Sequence, residues 1–560
     1  MIPCPKHFFS NSSRLLLLLT LFIFAGCFLP LAAQTFYGNE WINTSKNYYK
    51  IKVGAEGIYR ISQQVLSTTK LGLTGSHYQL FCNGKEVPLY VTTSNELGTN
   101  DYIEFYGQPN NGQFDTLLYA NANWQPNPYI NLFTDTATYY LTTNIFGFNE
   151  RYFALANDTI NAPTAPTWFW YTQQINFKNT FHPGIITQAG SFNAYSPSFD
   201  LGEGYCGALI TKGNQTDLKI ATPAISADAD GLPQLQIGLM GRSEVAGVNP
   251  DHHFKLKIST TTLIDNTNEG YFLNAYTTSF DPSLLTSPQT TLALQALGDL
   301  ADDDKISANW LRLTYPRLFD FDNKKGFSFE LLNDNTYLLE IVNFNAGTAP
   351  VLYDLTNRLR IPAITQAGKT IIKLPKGLNP SVNRKLYLAN TTNFIPQTGA
   401  VITQIENLIP VPFHNFEQEE DSLQGDFCMV YHPDLAMGDV NQVERYLNYR
   451  KSPSGGNFTA AAVSIETLYD QFAYGTYKSP LAIRNFVNYA IDKWKIPPKQ
   501  LLLLGKGVSY NKTTLDPTAY KACLVPTYGY QPSDVLLTAR SATQLQPQLP
   551  IGRVSASNAA

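Results

Sequence analysis

Cys428 and His432 are the first pair to suggest chemistry, a thiol nucleophile beside an imidazole base. Phe427 to Tyr431 reads as a short apolar strand. A four-residue offset turns both side chains to one side but separates them by about 13 Å, at ~3.3 Å per residue. A proton-sharing pair needs roughly 3 Å, so Cys428 reads as a buried core thiol. Cys523 lies in a loop before Leu524-Val525-Pro526, and no histidine follows His432; a catalytic role would require His414 or His432 to approach in space. Asp251-His252-His253 begins a strand, which sends the two imidazoles to opposite faces and keeps them from sharing one metal; the ordinary reading is a solvated turn. Asp299, Asp302, Asp303 and Asp304 offer the oxygen ligands calcium takes, and otherwise form an acidic exposed loop. Gly505-Lys506-Gly507 lacks the Lys-Ser/Thr pair and the helix of a phosphate loop. The residues by themselves assign no catalytic, metal-binding or cofactor-binding position, and no cofactor.

The elements that would position these side chains change character along the chain. From Tyr48 to about Thr142 the pattern predicts consecutive hairpins: Lys50-Ile51-Lys52-Val53 meets Gly54-Ala55-Glu56-Gly57 and returns as Ile58 to Ile61, while Asn83-Gly84 is the strongest hairpin signal. Asp101 to Tyr106, Phe114 to Tyr119 and Thr138 to Thr142 read as further strands. Short strands continue from about Phe153 to Ile361, among them Leu235 to Leu239, His253 to Ile258, Trp310 to Tyr315, Gly326 to Leu332 and Tyr337 to Val342, predicting a β-sandwich or jelly roll, with two β domains as the alternative. Pro362 to about Gly425 is a strand-and-loop connector ending in acidic residues. Beyond it, Phe427–Tyr431, a helix around Val440 to Arg450, Thr459 to Ser464, a helix opened by Ser479-Pro480, and Leu501–Leu504 alternate as in a doubly wound α/β sheet. That sheet is expected to be unfinished, leaving a flank of Leu501 to Leu504 uncovered. The predicted organisation is a signal peptide over 1–33, a β domain over 34–150, a β-sandwich region over 151–361, a connector over 362–425 and an α/β domain over 426–560.

Composition narrows the function classes. At 560 residues the chain has room for several cores, and its charged fraction of 15% with 44% apolar residues is not that of a disordered chain. Thirty-three Tyr and thirty-three Phe favour strands. Net charge is −4 with no clustered basic run, which excludes nucleic acid as an expected partner. Lys6, His7 and Arg14, the apolar run from Leu15 and the small exit Ala32-Ala33 describe a secretory signal peptide; Pro30 interrupts the run that a membrane anchor would need. Phe24-Ala25-Gly26-Cys27 is a poor lipoprotein box. Export leaves Cys82, Cys206, Cys428 and Cys523, too dispersed for a zinc site or a disulfide framework, and read as isolated thiols or at most one bridge.

An ordered set of segments then resembles the gingipain family of cysteine peptidases: Ile465 to Gly475, Lys478 to Phe486, Leu501 to Gly505, Val525-Pro526-Thr527-Tyr528-Gly529, Ser533-Asp534 and Pro550-Ile551-Gly552-Arg553. With Tyr48 to Phe105 and Tyr353-Asp354-Leu355-Thr356-Asn357, the whole arrangement is similar to the sortase-like members of the type IX secretion system. The resemblance implies N-terminal β domains before a caspase-like α/β peptidase domain, a histidine-activated thiolate, and protein substrates or secretion cargo as partners, with outer-membrane secretion components and a cell-surface or extracellular location. It places a Gly-His motif and a cysteine downstream of Ile551-Gly552-Arg553, where only Val554 to Ala560 follow, and Lys506 replaces the acidic residue of the family's Gly-Asp-Gly. The expectation is a chain that ends before its catalytic dyad, with a non-catalytic surface-binding or secretion-accessory protein as the alternative.

Overall fold

The computed structural model describes residues 36–391, 402–417 and 423–559. The segment read as a signal peptide lies outside them. Gly38–Ala560 forms one compact unit.

The first sandwich is built from β1 (Tyr48–Val53), β2 (Gly57–Ser62), β3 (Tyr78–Cys82), β4 (Lys85–Val87), β5 (Tyr102–Gly107) and β6 (Ala137–Thr143). The hairpin at Asn83-Gly84 forms as expected, with Leu80 opposite Val87 and both turn residues at positive φ. The expected β1–β2 hairpin does not. β1 pairs with β6 in one sheet while β2 pairs with β5 in the other. Gly54 to Glu56 therefore turn a corner between layers, so that Ile51 and Val53 meet Ile61 and Phe105 across the core. Phe114–Leu118 is likewise a tight helical turn, not a strand, because the buried Asp115 carboxylate accepts from the Leu132 amide at 2.7 Å and from Asn131 Nδ2 at 2.9 Å.

A second sandwich contains β7 (Trp168–Asn176), β8 (Gln234–Gly241), β9 (His252–Ile258), β10 (Leu273–Ser279) and the long β11 (Lys305–Leu318). β11 lies between β8 and β7. A third sandwich includes β12 (Gly326–Leu331) and β13 (Arg384–Asn390), around a core of Phe319, Phe321, Phe327, Phe329 and neighbouring aliphatic residues. The chain then returns: β14 (Ile402–Gln404) pairs with β2, and β15 (Ile409–Val411) with β1, adding an outer strand to each sheet of the first sandwich.

The C-terminal sheet has the order β17 (Ala460–Ser464), β16 (Phe427–Tyr431), β18 (Gln500–Leu504), β19 (Ile551–Val554), all parallel. Its helices are α1 (Gln442–Lys451), α2 (Ile465–Phe472) and α3 (Leu481–Lys493). The architecture is thus multidomain, N-terminal β-sandwiches followed by the first part of a caspase-like α/β domain. β19 covers the flank of Leu501 to Leu504 that was expected to be open. Asn441 caps α1, its Oδ1 accepting from the Glu444 amide at 3.1 Å. Ser479 does not cap α3; Pro480 takes the cap position and the Ser479 hydroxyl is buried without a partner.

Buried polar contacts join the sandwiches to the α/β domain. Glu203 accepts from the Tyr510 hydroxyl at 2.7 Å, and Tyr119 donates to the Glu203 carbonyl at 2.6 Å. Burial holds the Glu203 carboxyl largely protonated, pushing its pKa up to about 8 although Tyr510 and the Asp200 amide favour the anion. Folding then takes up a proton at this site, so its stabilising contribution is intact below about pH 4.5 and is lost as pH rises through about 8. The expected outcome is that Glu203→Gln flattens the fall in Tm across that window relative to the parent protein; identical slopes in a thermal melt series would remove Glu203 as its source.

Candidate functional site

In a parallel sheet the carboxyl ends of the strands are where loops gather reactive groups. Here those ends are Tyr431, Ser464, Leu504 and Val554, aligned by register. His432 leaves the first strand and caps the short turn Pro433–Ala436, its Nδ1 accepting from the Asp434 amide at 3.3 Å. Glu466 opens α2, where the Ser464 hydroxyl accepts from its amide at 3.2 Å. Lys506 follows β18 with its side chain exposed, while its backbone carbonyl receives the Leu524 and Val525 amides at 2.8 and 3.1 Å.

Between α2 and α3, Lys478 is buried and at positive φ, and its Nζ donates to the Cys523 carbonyl. Burial lowers the Lys478 pKa, against the opposing fields of Cys523, Glu466 and Asp434. The His432 imidazole is also lowered by burial, with Asp434 and Glu466 pulling it up and Lys478 pushing it down. His432, Glu466 and Lys478 therefore share one electrostatic neighbourhood, which sequence spacing did not reveal because the three lie on separate elements.

Neither thiol is poised for attack. Cys428 is buried in the sheet and desolvation pushes its pKa up to about 12. The Cys523 thiol points to the Val508 carbonyl at 3.8 Å, and burial raises its pKa despite Lys478 and Arg553 nearby. Cys82 and Cys206 are free as well.

The acidic and histidine cluster of the second sandwich proves to be structural. His252 is fully buried, which corrects the solvated-turn reading: its Nδ1 faces Asp304 Oδ1 at 2.8 Å and its Nε2 the Ser243 carbonyl at 3.0 Å. His253, one residue on, lies between Asp299 (2.8 Å) and Asp265 (2.7 Å). Asp304 is buried too, so only Asp299, Asp302 and Asp303 form the exposed acidic loop, and the last two pair with Lys212 and Lys305. Among the described residues no cluster of three His, Cys, Asp or Glu side chains is arranged to hold a metal ion.

The organising contact of the carboxyl-end face is Arg553. Its guanidinium forks onto Asp534, both contacts at 2.7 Å, and donates to the carbonyls of Gly505 (2.8 Å), Val525 (2.9 Å) and Pro526 (2.9 Å). Three of the segments that carry the family resemblance, those holding Gly505, Val525-Pro526 and Asp534, thus converge on the Arg553 of a fourth. A Cβ on Gly507 would come within 3.3 Å of that guanidinium and 2.5 Å of Thr527 Cγ2, which explains a glycine there.

The first sandwich braces the same region. Lys50 Nζ meets Asp470 at 2.7 Å and the Tyr477 hydroxyl at 2.9 Å, Tyr140 donates to Asp470 at 2.9 Å, and Thr138 donates to the Gly475 carbonyl at 3.0 Å. Lys52 lies 4.0 Å above the Tyr477 ring, and burial brings its pKa down to about 8, with Lys50 adding to the fall and Asp470 and Glu466 opposing it.

Residues 420–560 match the model of peptidase family C25. Among solved structures, dimeric latent PorU from Porphyromonas gingivalis shares the fold at a TM-score of 0.57 and 14% identity, over 94% of this chain and 49% of that one. The chain therefore spans about half the length of that relative. The K3 cleaved adhesin domain of Lys-gingipain from Porphyromonas gingivalis W83 (TM-score 0.15, 14% identity, 28% of this chain and 95% of that one) is a far weaker likeness. So is the CBM36-1 domain of a multidomain xylanase from the Trinervitermes trinervoides hindgut metagenome (TM-score 0.16, 12% identity, 26% of this chain and 96% of that one). No curated protein matches the sequence.

Replacing Arg553 with Lys keeps the charge but loses the planar fork, and is expected to destabilise the α/β domain by about 2 kcal/mol. A lowered denaturant midpoint at unchanged slope is the readout; an unchanged midpoint would show that the five contacts carry no net stability. Over residues 420–560 the chain is similar to the gingipain family of peptidases, and over nearly all of its length its fold is similar to that of PorU.

Proposed function

We propose that these residues form the β domains and the leading part of the peptidase domain of an exported cysteine peptidase of the gingipain type. Its substrates are polypeptides, and its specific task is sortase-like processing of secretion cargo at the cell surface or outer membrane. The observation that supports this most is the family match over 420–560, where the motif segments holding Gly505, Val525-Pro526 and Asp534 meet at Arg553 beside the carboxyl ends of four parallel strands. Among the described residues no helix is long and apolar enough to cross a membrane.

The reading assigns roles sparingly. His432, Glu466 and Lys506 border the face where a substrate strand would lie, and Arg553 fixes the loops there. The histidine and cysteine that the resemblance places after Ile551-Gly552-Arg553 have no counterpart in Val554 to Ala560, so none of these residues is assigned as base or nucleophile.

The test is cleavage of unfolded casein by the natural protein that contains these residues, with and without iodoacetamide. Thiol-dependent cleavage is expected, and folded Cys523→Ala and Cys428→Ala variants should retain it within about twofold. Absence of cleavage, or cleavage untouched by alkylation, would overturn the peptidase reading. Loss of turnover in the Cys523→Ala variant would overturn the assignment of that thiol as structural.

A further inference from the structure

β7 is the edge strand of its sheet, paired along its whole length with β11, from Trp168 opposite Leu318 to Asn176 opposite Trp310. Its sequence, Trp-Phe-Trp-Tyr-Thr-Gln-Gln-Ile-Asn, contains no charge and no proline. Exposed edges normally carry such residues, because a bare row of amides and carbonyls is a template for another strand. The direction of that row follows from the register. The Phe177 amide donates to the Asn309 carbonyl at 3.0 Å, so odd-numbered positions face β11. The amides and carbonyls of Trp170, Thr172 and Gln174 then point away from it, and among the described residues no strand pairs with them.

That side opens into a cavity of about 1010 Å³. Every residue from Trp168 to Gln174 lines it, Ser328 to Leu332 form a second wall, and Glu86, Tyr106 and Tyr139 of the first sandwich form a third. Phe169 and Tyr171 are turned into the third sandwich, with ring centroids 5.7 Å from Phe329 and 5.4 Å from Phe327. Trp168 and Trp170, on the opposite face of the strand, pack edge to face at 5.5 Å. On that face lies Arg312, whose Nε is buried without a hydrogen-bond partner.

We propose that this canyon binds an extended polypeptide segment, which adds to β7 as a further strand. The occupant is set by three features. Outward amides and carbonyls alternating along a strand are matched by another extended backbone and not by a compact solute. Walls from three parts of the chain surround the edge, which favours a single strand over the broad sheet edge of a second copy. The volume is at the top of the range for small-molecule pockets, and seven consecutive residues of the strand line it. Alternate residues of the added segment would lie beside Trp168 and Trp170, favouring apolar or β-branched side chains there. The inference does not rest on the peptidase reading, because none of its residues belongs to the carboxyl-end face.

The test measures binding of a fluorescein-labelled peptide of alternating valine and threonine, long enough to span Trp168–Asn176, to the full chain by fluorescence anisotropy. Two further peptides carry backbone N-methyl groups, one at the odd and one at the even positions. Saturable binding is expected, with one N-methylated peptide weakened at least about tenfold and the other tolerated. Thr172→Pro deletes an outward amide without touching the β11 ladder and should weaken binding at least about tenfold, whereas Thr172→Val should not. Equal affinity of all three peptides overturns the proposal, even if Thr172→Pro fails to fold. So does the absence of peptide binding, or saturable binding of a neutral oligosaccharide that displaces the peptide irrespective of its methylation.

Discussion

Asp470 is a carboxylate buried at the junction of two domains, and its compensation governs where the helix that carries it can sit. Its two oxygens are taken by Lys50 and Tyr140, both from the first sandwich. A buried ion pair of this kind is costly to break from either side, since removing one partner leaves the other desolvated and alone. Burial lowers the Lys50 ammonium, and Asp470 and Tyr477 more than offset this, leaving its pKa above the ordinary lysine range. The position of α2, and with it Glu466 at the margin of the carboxyl-end face, is therefore dictated by a domain more than half the chain away. The same contact holds the loop carrying Gly475, whose Cβ position is occupied by Thr138 and Tyr140.

What the sequence made legible was whatever is decided locally. The Asn83-Gly84 hairpin forms because two residues at positive φ suffice to specify it. The strand–helix grammar after Gly425 gave the parallel sheet. What failed was decided at a distance. Lys50 to Ile61 has the same alternation whether its strands pair with one another or turn a corner between two layers, and only β5 and β6, far along the chain, settle which. His252 reads as solvated because nothing nearby shows that Asp304 will meet it inside the sandwich. At Ser479 the Ser-Pro pair reads as a helix start, but Pro480 takes the cap position and the Ser479 hydroxyl is buried without a partner.

The resemblance read from separated segments has a physical basis in Arg553. Gly505, the Val525-Pro526 pair and Asp534 lie on three separate segments, and together they supply three carbonyls and both carboxylate oxygens to the same guanidinium. Such a hub needs a planar donor with several directed N–H groups, which arginine alone provides. Its individual residues are unremarkable by type, and none would be singled out by composition or periodicity.

The two strands that return to the first sandwich, β14 and β15, lie beyond the second and third sandwiches in the chain. A polypeptide emerging from its amino end has both of those later sandwiches available before the first can gain its last strands. Assembly of this chain therefore cannot run strictly from front to back: the earliest domain waits, its outer edges open, for residues made long afterwards.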